Sequence, residues 1–538
     1  MSSSRTRLPA SESGGRVARR ALASVLALAC ALPAAPIVAA PLAAAPGSLP
    51  ALGEDADAAL SPAGERALGE RIMRSIRSDP DVIDDPVLRA YADQIWQRLL
   101  AAARQRGEIT PDLEPRFAWQ AFLVRDRSVN AFALPGGYVG IHLGLIAVTT
   151  NRDQLASVLA HELTHITQRH IVRSIGIQQR QSLVSIASMV LGVLAASRAP
   201  AAAQALMTGG QAVAMQDQLN FSRDMEREAD RVGFGVLTAA GFEADGMAAM
   251  FEKLAQASQL NDTLEYPYLR SHPLTTERIG EARARLGPGM RPLAPRIDPL
   301  HQLMRERSRV LMDQRALALR PLIDEAVQPP PATLDALQAT ARGYGGVLAA
   351  TLLRDDALAV QAMKQLRERL AALPASQRQA LQPDIERLAA ESALARGDAA
   401  PADAALAALA EDTSRATLLL RARRTLLPSA EPAQLQAAAA TLQLRVASTP
   451  DDAQAWTLLG QCWDRLGQPL RAARAHAESS AALGRLPDAI ERLRSAQRQA
   501  RSRSPSAADF VELSVIDARL QALEGEMRQL QREDARGS

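Results

Sequence analysis

Along most of this chain, apolar positions recur at the three-to-four-residue spacing of helices. Leu68, Ile72 and Ile76, then Val87, Tyr91, Ile95 and Leu99, mark helical sequence over residues 66–104. Leu155, Val158, Leu159, Leu163 and Ile166 share one face of another helical stretch over 151–176. Between these stretches the period changes. Phe117-Ala-Trp119-Gln-Ala-Phe122-Leu-Val124 alternates as a strand does, and 130–141 reads as a strand, a Pro135-Gly136-Gly137 turn and a second strand. After about residue 300 the strand signals vanish, leaving Ala/Leu/Arg helices broken by Gly, Pro or Asp.

That C-terminal part repeats. Trp456-x-x-Leu459-Gly460-x-x-Trp463, with Ala472 downstream and Pro450 upstream, fits the tetratricopeptide pattern. Turn glycines Gly467 and Gly484 stand 17 residues apart, half of the tetratricopeptide period of about 34. Gly397 with Ala402 and Leu406, and the stretch 344–362, read as degenerate copies. Leu513, Ile516, Leu520, Leu523, Met527 and Leu530 form a stripe on the last helix that packs onto a neighbour. A generic helical bundle is the alternative. The fold class expected is mainly α with a small β element.

The length of 538 residues implies more than one domain, and 47% apolar residues exclude a wholly disordered chain. The N-terminus carries Arg16, Arg19 and Arg20, an apolar run from Ala21 to Leu32, and a small-residue site at Val38-Ala39-Ala40, the marks of a secretory signal over 1–40. The run is too short to span a bilayer, which needs about 20 residues. Cleavage after Ala40 removes Cys30 and leaves only Cys462, so the fold cannot depend on an intramolecular disulfide. Lipid attachment at Cys30 is the alternative, though Ala27-Leu-Ala29 fits a lipobox poorly. Removing the leader also turns the formal charge from +3 to −1, so the basic balance points to no nucleic-acid partner. The apolar run from Leu183 to Ala196, broken by Arg198 and Pro200, suits an interface or a chamber wall better than a membrane span.

The chemistry centres on His161-Glu162-Leu163-Thr164-His165. On a helix, positions i and i+4 share a face, so two imidazoles reach one Zn²⁺ at about 2.0–2.1 Å. Glu162 lies beside that metal, placed to take a proton from water the metal has acidified. Zinc needs a third protein ligand and an open fourth place. Glu226, 61 residues after His165 in a helical segment of mixed polarity, is the candidate, with Glu228 as its rival. Asp230, one turn later, suits the orienting of a ligand histidine through its second ring N–H. His170, five residues after His165, turns off the ligand face and reads as a surface or core residue. His142 has no evident role. His272 sits in a loop stiffened by Pro273.

These residues carry a resemblance. His161–His165 with Glu226-x-x-Ala229-Asp230 is similar to the gluzincin metalloproteases of the HtpX, Ste-type CAAX protease and Oma-type kind. Asn130-Ala131-Phe132-Ala133-x-Pro135-Gly136-Gly137, Ser271-His272-Pro273, the leader and the repeats resemble the BepA-type branch, the periplasmic β-barrel assembly-enhancing proteases of Gram-negative bacteria. The resemblance implies a signal peptide at 1–40, a zinc metalloprotease domain at 41–300 and a tetratricopeptide-like solenoid at 301–538. It implies one zinc per chain on His161, His165 and Glu226, with Glu162 as general base. It implies a proton-donor role for Asp230, where spacing favours orientation, and a closing ligand in His272. The implied clients are unfolded or misassembled outer-membrane proteins, with the β-barrel assembly machinery met through the repeats and peripheral membrane contact through 183–215. An extended client is expected to add as a strand beside the 137–143 edge. Two alternatives stay open: a non-proteolytic chaperone with a structural zinc, and a membrane-embedded quality-control protease.

Overall fold

The computed structural model describes residues 60–177, 222–260, 268–286, 297–501 and 507–537. The leader with Cys30, and the apolar stretch 183–215, lie outside the described residues. Among the described residues no helix is long and apolar enough to cross a membrane.

Helix α1 (Pro62–Arg77) starts at Ser61, whose hydroxyl accepts from the Gly64 N–H, and α2 (Pro86–Gln105) starts at Asp85, which accepts from Leu88. Each has proline in its first turn, where no amide hydrogen is missed. Short β1 (Val82–Ile83) lies between them. Strands β2 (Gln120–Val124), β3 (Ala131–Leu134) and β4 (Tyr138–His142) complete a mixed sheet of order β1-β2-β4-β3. The turn from β3 to β4 needs its glycines: Gly136 and Gly137 have φ of 76° and 89°. Because β4 pairs with β2 on one side and β3 on the other, the 137–143 segment offers no free edge, which corrects the docking expectation. The outer strand on that side, among the described residues, is β3. His142 donates to the Asn130 carbonyl, so alternation turns the backbone groups of Ala131 and Ala133 outward.

Next come α3 (Leu143–Val148), α4 (Arg152–Thr167) and α5 (His170–Ile177). Then follow α6 (Arg223–Ala239), α7 (Asp245–Leu260), α8 (Tyr268–Ser271) and α9 (Thr276–Ala284). Helix α4 is the centre of this part. Every residue from Asp153 to Thr167 is buried, because α2, α6, α7 and the sheet enclose it.

Beyond residue 297 the described chain is helical. It runs through α10 (Pro299–Met312), α11 (Ala316–Val327), α12 (Ala336–Leu352), α13 (Asp356–Ala371), α14 (Ala375–Arg396), α15 (Ala399–Ala407) and α16 (Arg415–Thr425). It continues through α17 (Pro432–Ser448), α18 (Ala453–Arg465), α19 (Pro469–Ala482), α20 (Leu486–Arg501) and α21 (Ala507–Gly537). From α17 onward each helix packs on the next in sequence. Leu459, Trp463 and Ala472 fall inside the apolar cluster of α16–α19, and Leu523 and Ile516 of the last-helix stripe pack inside the following one. Cys462 is a buried thiol that burial pushes up to about 11.

One apolar core runs from Val87 to Ala416, so α10–α14 share it with α2 and α4. Charges at the start of α2 reinforce that union. Asp85 takes two bonds, at 2.7 and 2.6 Å, from the fully buried Arg307 of α10, which also donates to Tyr344 and Glu391. Arg415 of α16 bridges Asp84 and Asp452, the latter being the buried N-cap of α18. Burial pushes Asp452 up, but Arg415 and Arg445 outweigh it and hold the carboxyl down to about 2.

Arg415→Ala is expected to cost about 1.5–3 kcal/mol, the range for hydrogen bonds to charged groups, and to speed proteolytic release of the C-terminal helices. A depressed carboxyl stabilises above its ordinary value of 3.8 and loses that contribution towards about 2. The gap in thermal midpoint between wild type and variant therefore shrinks as pH falls through that window.

Candidate metal centre

His161, Glu162 and His165 stand on α4, where one helical turn puts the two imidazoles side by side. Glu226 and Asp230 stand on α6, which crosses α4 closely. A Cβ at Gly233 would meet the Ala160 carbonyl at 3.1 Å, so glycine there lets the helices approach. His272 follows α8 and folds back over the pair.

The donor atoms of His161, His165, Glu226 and His272 all lie within 4.8 Å of one another, and all four residues are buried. His161 Nε2 and His165 Nε2 are 3.0 Å apart, and Glu226 stands 3.5 Å from each. His272 Nδ1 is 2.9 Å from Glu226 Oε1 and 3.3 Å from His161 Nε2. The ring of Tyr268 stacks on His272 at 4.6 Å. The sequence thus names four side chains that the fold brings to one point; Glu228, the rival to Glu226, is not among them.

The residues around the cluster fix its nitrogens. Asp230 Oδ1 accepts from His161 Nδ1 at 3.0 Å, which fixes the ring and turns Nε2 to the cluster. Arg278 of α9, which sequence reasoning missed, donates to both oxygens of Asp230, at 2.6 and 2.8 Å, and to the Pro273 carbonyl at 2.8 Å. Its Nη1 also lies 2.9 Å from Glu226 Oε2, but off the hydrogen-bonding direction, so that oxygen is ion-paired without being bonded.

Glu162 is fully buried, with Oε2 held by the outward N–H of Ala133 at 3.1 Å. Among the described residues its Oε1 accepts no hydrogen bond, and His272 Nε2 stands 3.5 Å away. Burial pushes the carboxyl up from its ordinary value. Burial pushes His161 down, and Asp230 and Glu226 more than offset it, holding the imidazole up to about 9. The pocket favours positive charge at that point.

His170 is not a bland residue. Helix α4 stops at Gln168, and Arg169 takes a left-handed φ of 51°. That turn brings His170 back under His165, with the two Nδ1 atoms 2.9 Å apart. His170 Nε2 meets Glu228 at 3.0 Å, and Arg173 donates to the same oxygen at 2.9 Å. Burial pushes His170 down to about 4, and it pushes His165 well below its ordinary value. Helical spacing alone could not show this, because it assumes an unbroken helix.

Two imidazole nitrogens and a carboxylate converging in a buried pocket, with one carboxylate oxygen unbonded, fit a divalent cation with nitrogen and oxygen ligands. Comparison with known proteins agrees. The model of peptidase family M48 matches residues 90–286. The chain is 31% identical to the Beta-barrel assembly-enhancing protease of Escherichia coli K12 over 90% of its length and 92% of that protein. The chain belongs to peptidase family M48. A Vibrio cholerae relative is 39% identical over 47% of the chain, spanning half of that protein. The Mitochondrial metalloendopeptidase OMA1 of Saccharomyces cerevisiae is 29% identical over 35% of the chain and 52% of its own length. The protein is accordingly a metalloprotease of this family.

Arg278→Met is expected to leave Asp230 charged and buried without its partner, at a cost of about 3–5 kcal/mol. Thermal denaturation should show the loss, and the variant should surrender its metal to a chelator sooner than wild type does.

Proposed function

We propose that this chain is a periplasmic zinc-dependent endopeptidase that degrades misassembled outer-membrane β-barrel proteins and supports their assembly. The observation that carries the reading is the unbonded Oε1 of Glu162 beside the cluster of His161, His165 and Glu226. Those three residues would hold one zinc per chain, which, when bound, supplies Lewis-acid polarisation of a carbonyl and acidifies water towards pH 7. The E. coli relative bears the name of an assembly-enhancing protease, which supports the client class.

The chain's own groups then act as follows. An extended client adds as a strand along β3, whose Ala131 N–H and C=O and Ala133 C=O face outward, giving main-chain recognition with little sequence selectivity. Glu162, oriented through Oε2 by Ala133, takes a proton from water at Oε1 and passes it to the leaving amine. Asp230, with His161 and Arg278 on its oxygens, orients His161. His272 fills the place a substrate carbonyl needs, so it must swing aside, which keeps basal activity low. The division of labour is a signal over 1–40, a protease part over 41–300 and a tetratricopeptide-type array over 301–538 that presents clients and the assembly machinery.

Glu162→Gln should lower cleavage of an unfolded client by about 10²–10⁴-fold, with zinc content near one per chain. Retained proteolysis would remove the base assignment, and full support of outer-membrane assembly by the variant would favour the chaperone reading. His272→Ala should raise basal proteolysis. Activity lost with zinc retained would instead make His272 a transition-state stabiliser.

A further inference from the structure

The outer nitrogen of His165, Nδ1, meets another histidine. The chain of contacts runs from Glu228 Oε2 to His170 Nε2 at 3.0 Å, then from His170 Nδ1 to His165 Nδ1 at 2.9 Å. A carboxylate only accepts, so His170 donates from Nε2. A neutral imidazole has one N–H, so His170 Nδ1 carries a lone pair and accepts from His165 Nδ1–H. The Nε2 lone pair of His165 is thereby turned to the cluster. Either opposite tautomer would set two N–H groups, or two lone pairs, against each other at 2.9 Å.

We propose that His170 and Glu228 are positioning residues for metal binding: a carboxylate–imidazole–imidazole relay that fixes the tautomer and ring angle of His165. Asp230 does the same for His161 with a single bond. The backbone is shaped to deliver the relay. Arg169 adopts a left-handed φ of 51°, which residues with a Cβ rarely take. Its guanidinium is tied to the buried Glu65 at 3.1 Å and to the Leu60 carbonyl. Glu228 lies at the rim, where it also carries a part-exposed ion pair with Arg173 that is separate from its bond to His170 Nε2.

The inference rests on His165 being a metal ligand, and the experiment separates the two. Zinc affinity is read by competition with a chromophoric chelator on the full-length holoenzyme. His165→Ala tests the ligand and should abolish tight binding; unchanged binding would overturn that reading, and the relay with it. His170→Phe keeps a ring without nitrogens and should weaken zinc binding by about 10–100-fold, the usual range for losing a group that orients a ligand. Glu228→Ala, at the half-exposed rim, should weaken it in the same direction without threatening the fold. His170→Gln keeps one acceptor and one donor and should restore much of the loss. Arg173→Met removes the rim ion pair alone and should leave zinc affinity within twofold of wild type. Tight binding lost in His165→Ala but within twofold of wild type in both His170→Phe and Glu228→Ala would overturn the relay. So would an Arg173→Met loss as large as that of Glu228→Ala.

Discussion

The structure is organised around ligand-type nitrogens and oxygens crowded together away from water. Two imidazole Nε2 atoms lie 3.0 Å apart, and a carboxylate lies 3.5 Å from each, all in a buried pocket. In water such donors would be hydrated apart; in a low-dielectric interior their proximity is unfavourable unless positive charge stands among them. The fold supplies part of that charge through Arg278 and confines the rest to one point. A central helix buried on every side is what this demands. Had α4 faced solvent, its histidines would titrate as surface groups and its glutamate would stay an ordinary carboxylate.

The supporting groups divide by ligand. Asp230 serves His161, the relay of His170 and Glu228 adjoins His165, and Arg278 touches Asp230, Glu226 and the Pro273 carbonyl together. That last residue matters because Pro273 adjoins His272. The loop bearing the fourth donor and the carboxylate orienting the first share one guanidinium. Moving the loop therefore disturbs bonds to Asp230 as well as the contact with Glu226.

What was legible in the sequence follows from locality. The His-Glu-x-x-His spacing needs only an unbroken helix over five residues, and α4 provides it. Glu226 and Asp230 stood out by their one-turn spacing in one helical segment, with Glu228 as a rival, and His272 only through the resemblance that Ser271-His272-Pro273 carries. His170, read as a surface or core residue off the ligand face, is buried and outside the cluster; its contact with His165 was not legible because the helix breaks at Gln168 and Arg169 takes a conformation that arginine rarely signals. Arg278, Arg307 and Arg415 could not be singled out among 60 arginines; only tertiary structure gives each its carboxylate. The edge strand was misplaced for a related reason: strand order is set by long-range pairing, and the β2–β4 parallel pair encloses what a local hairpin would leave open.

The same locality explains the joint between the helical array and the metal-bearing helix. Asp84 and Asp85 are adjacent in sequence, at the start of α2. Asp85 binds Arg307 of α10, and Asp84 binds Arg415 of α16. Helix α2 in turn packs against both α4 and α6, the two helices that carry the cluster. Two neighbouring carboxylates thus tie separate layers of the C-terminal helices to the one element that braces the site. The apolar core shared from Val87 to Ala416 makes that joint stiff, since close-packed side chains transmit displacement with little slack. The C-terminal helices are therefore part of the frame that holds α4 and α6 in place, and the pocket's geometry depends on residues more than a hundred positions away in sequence.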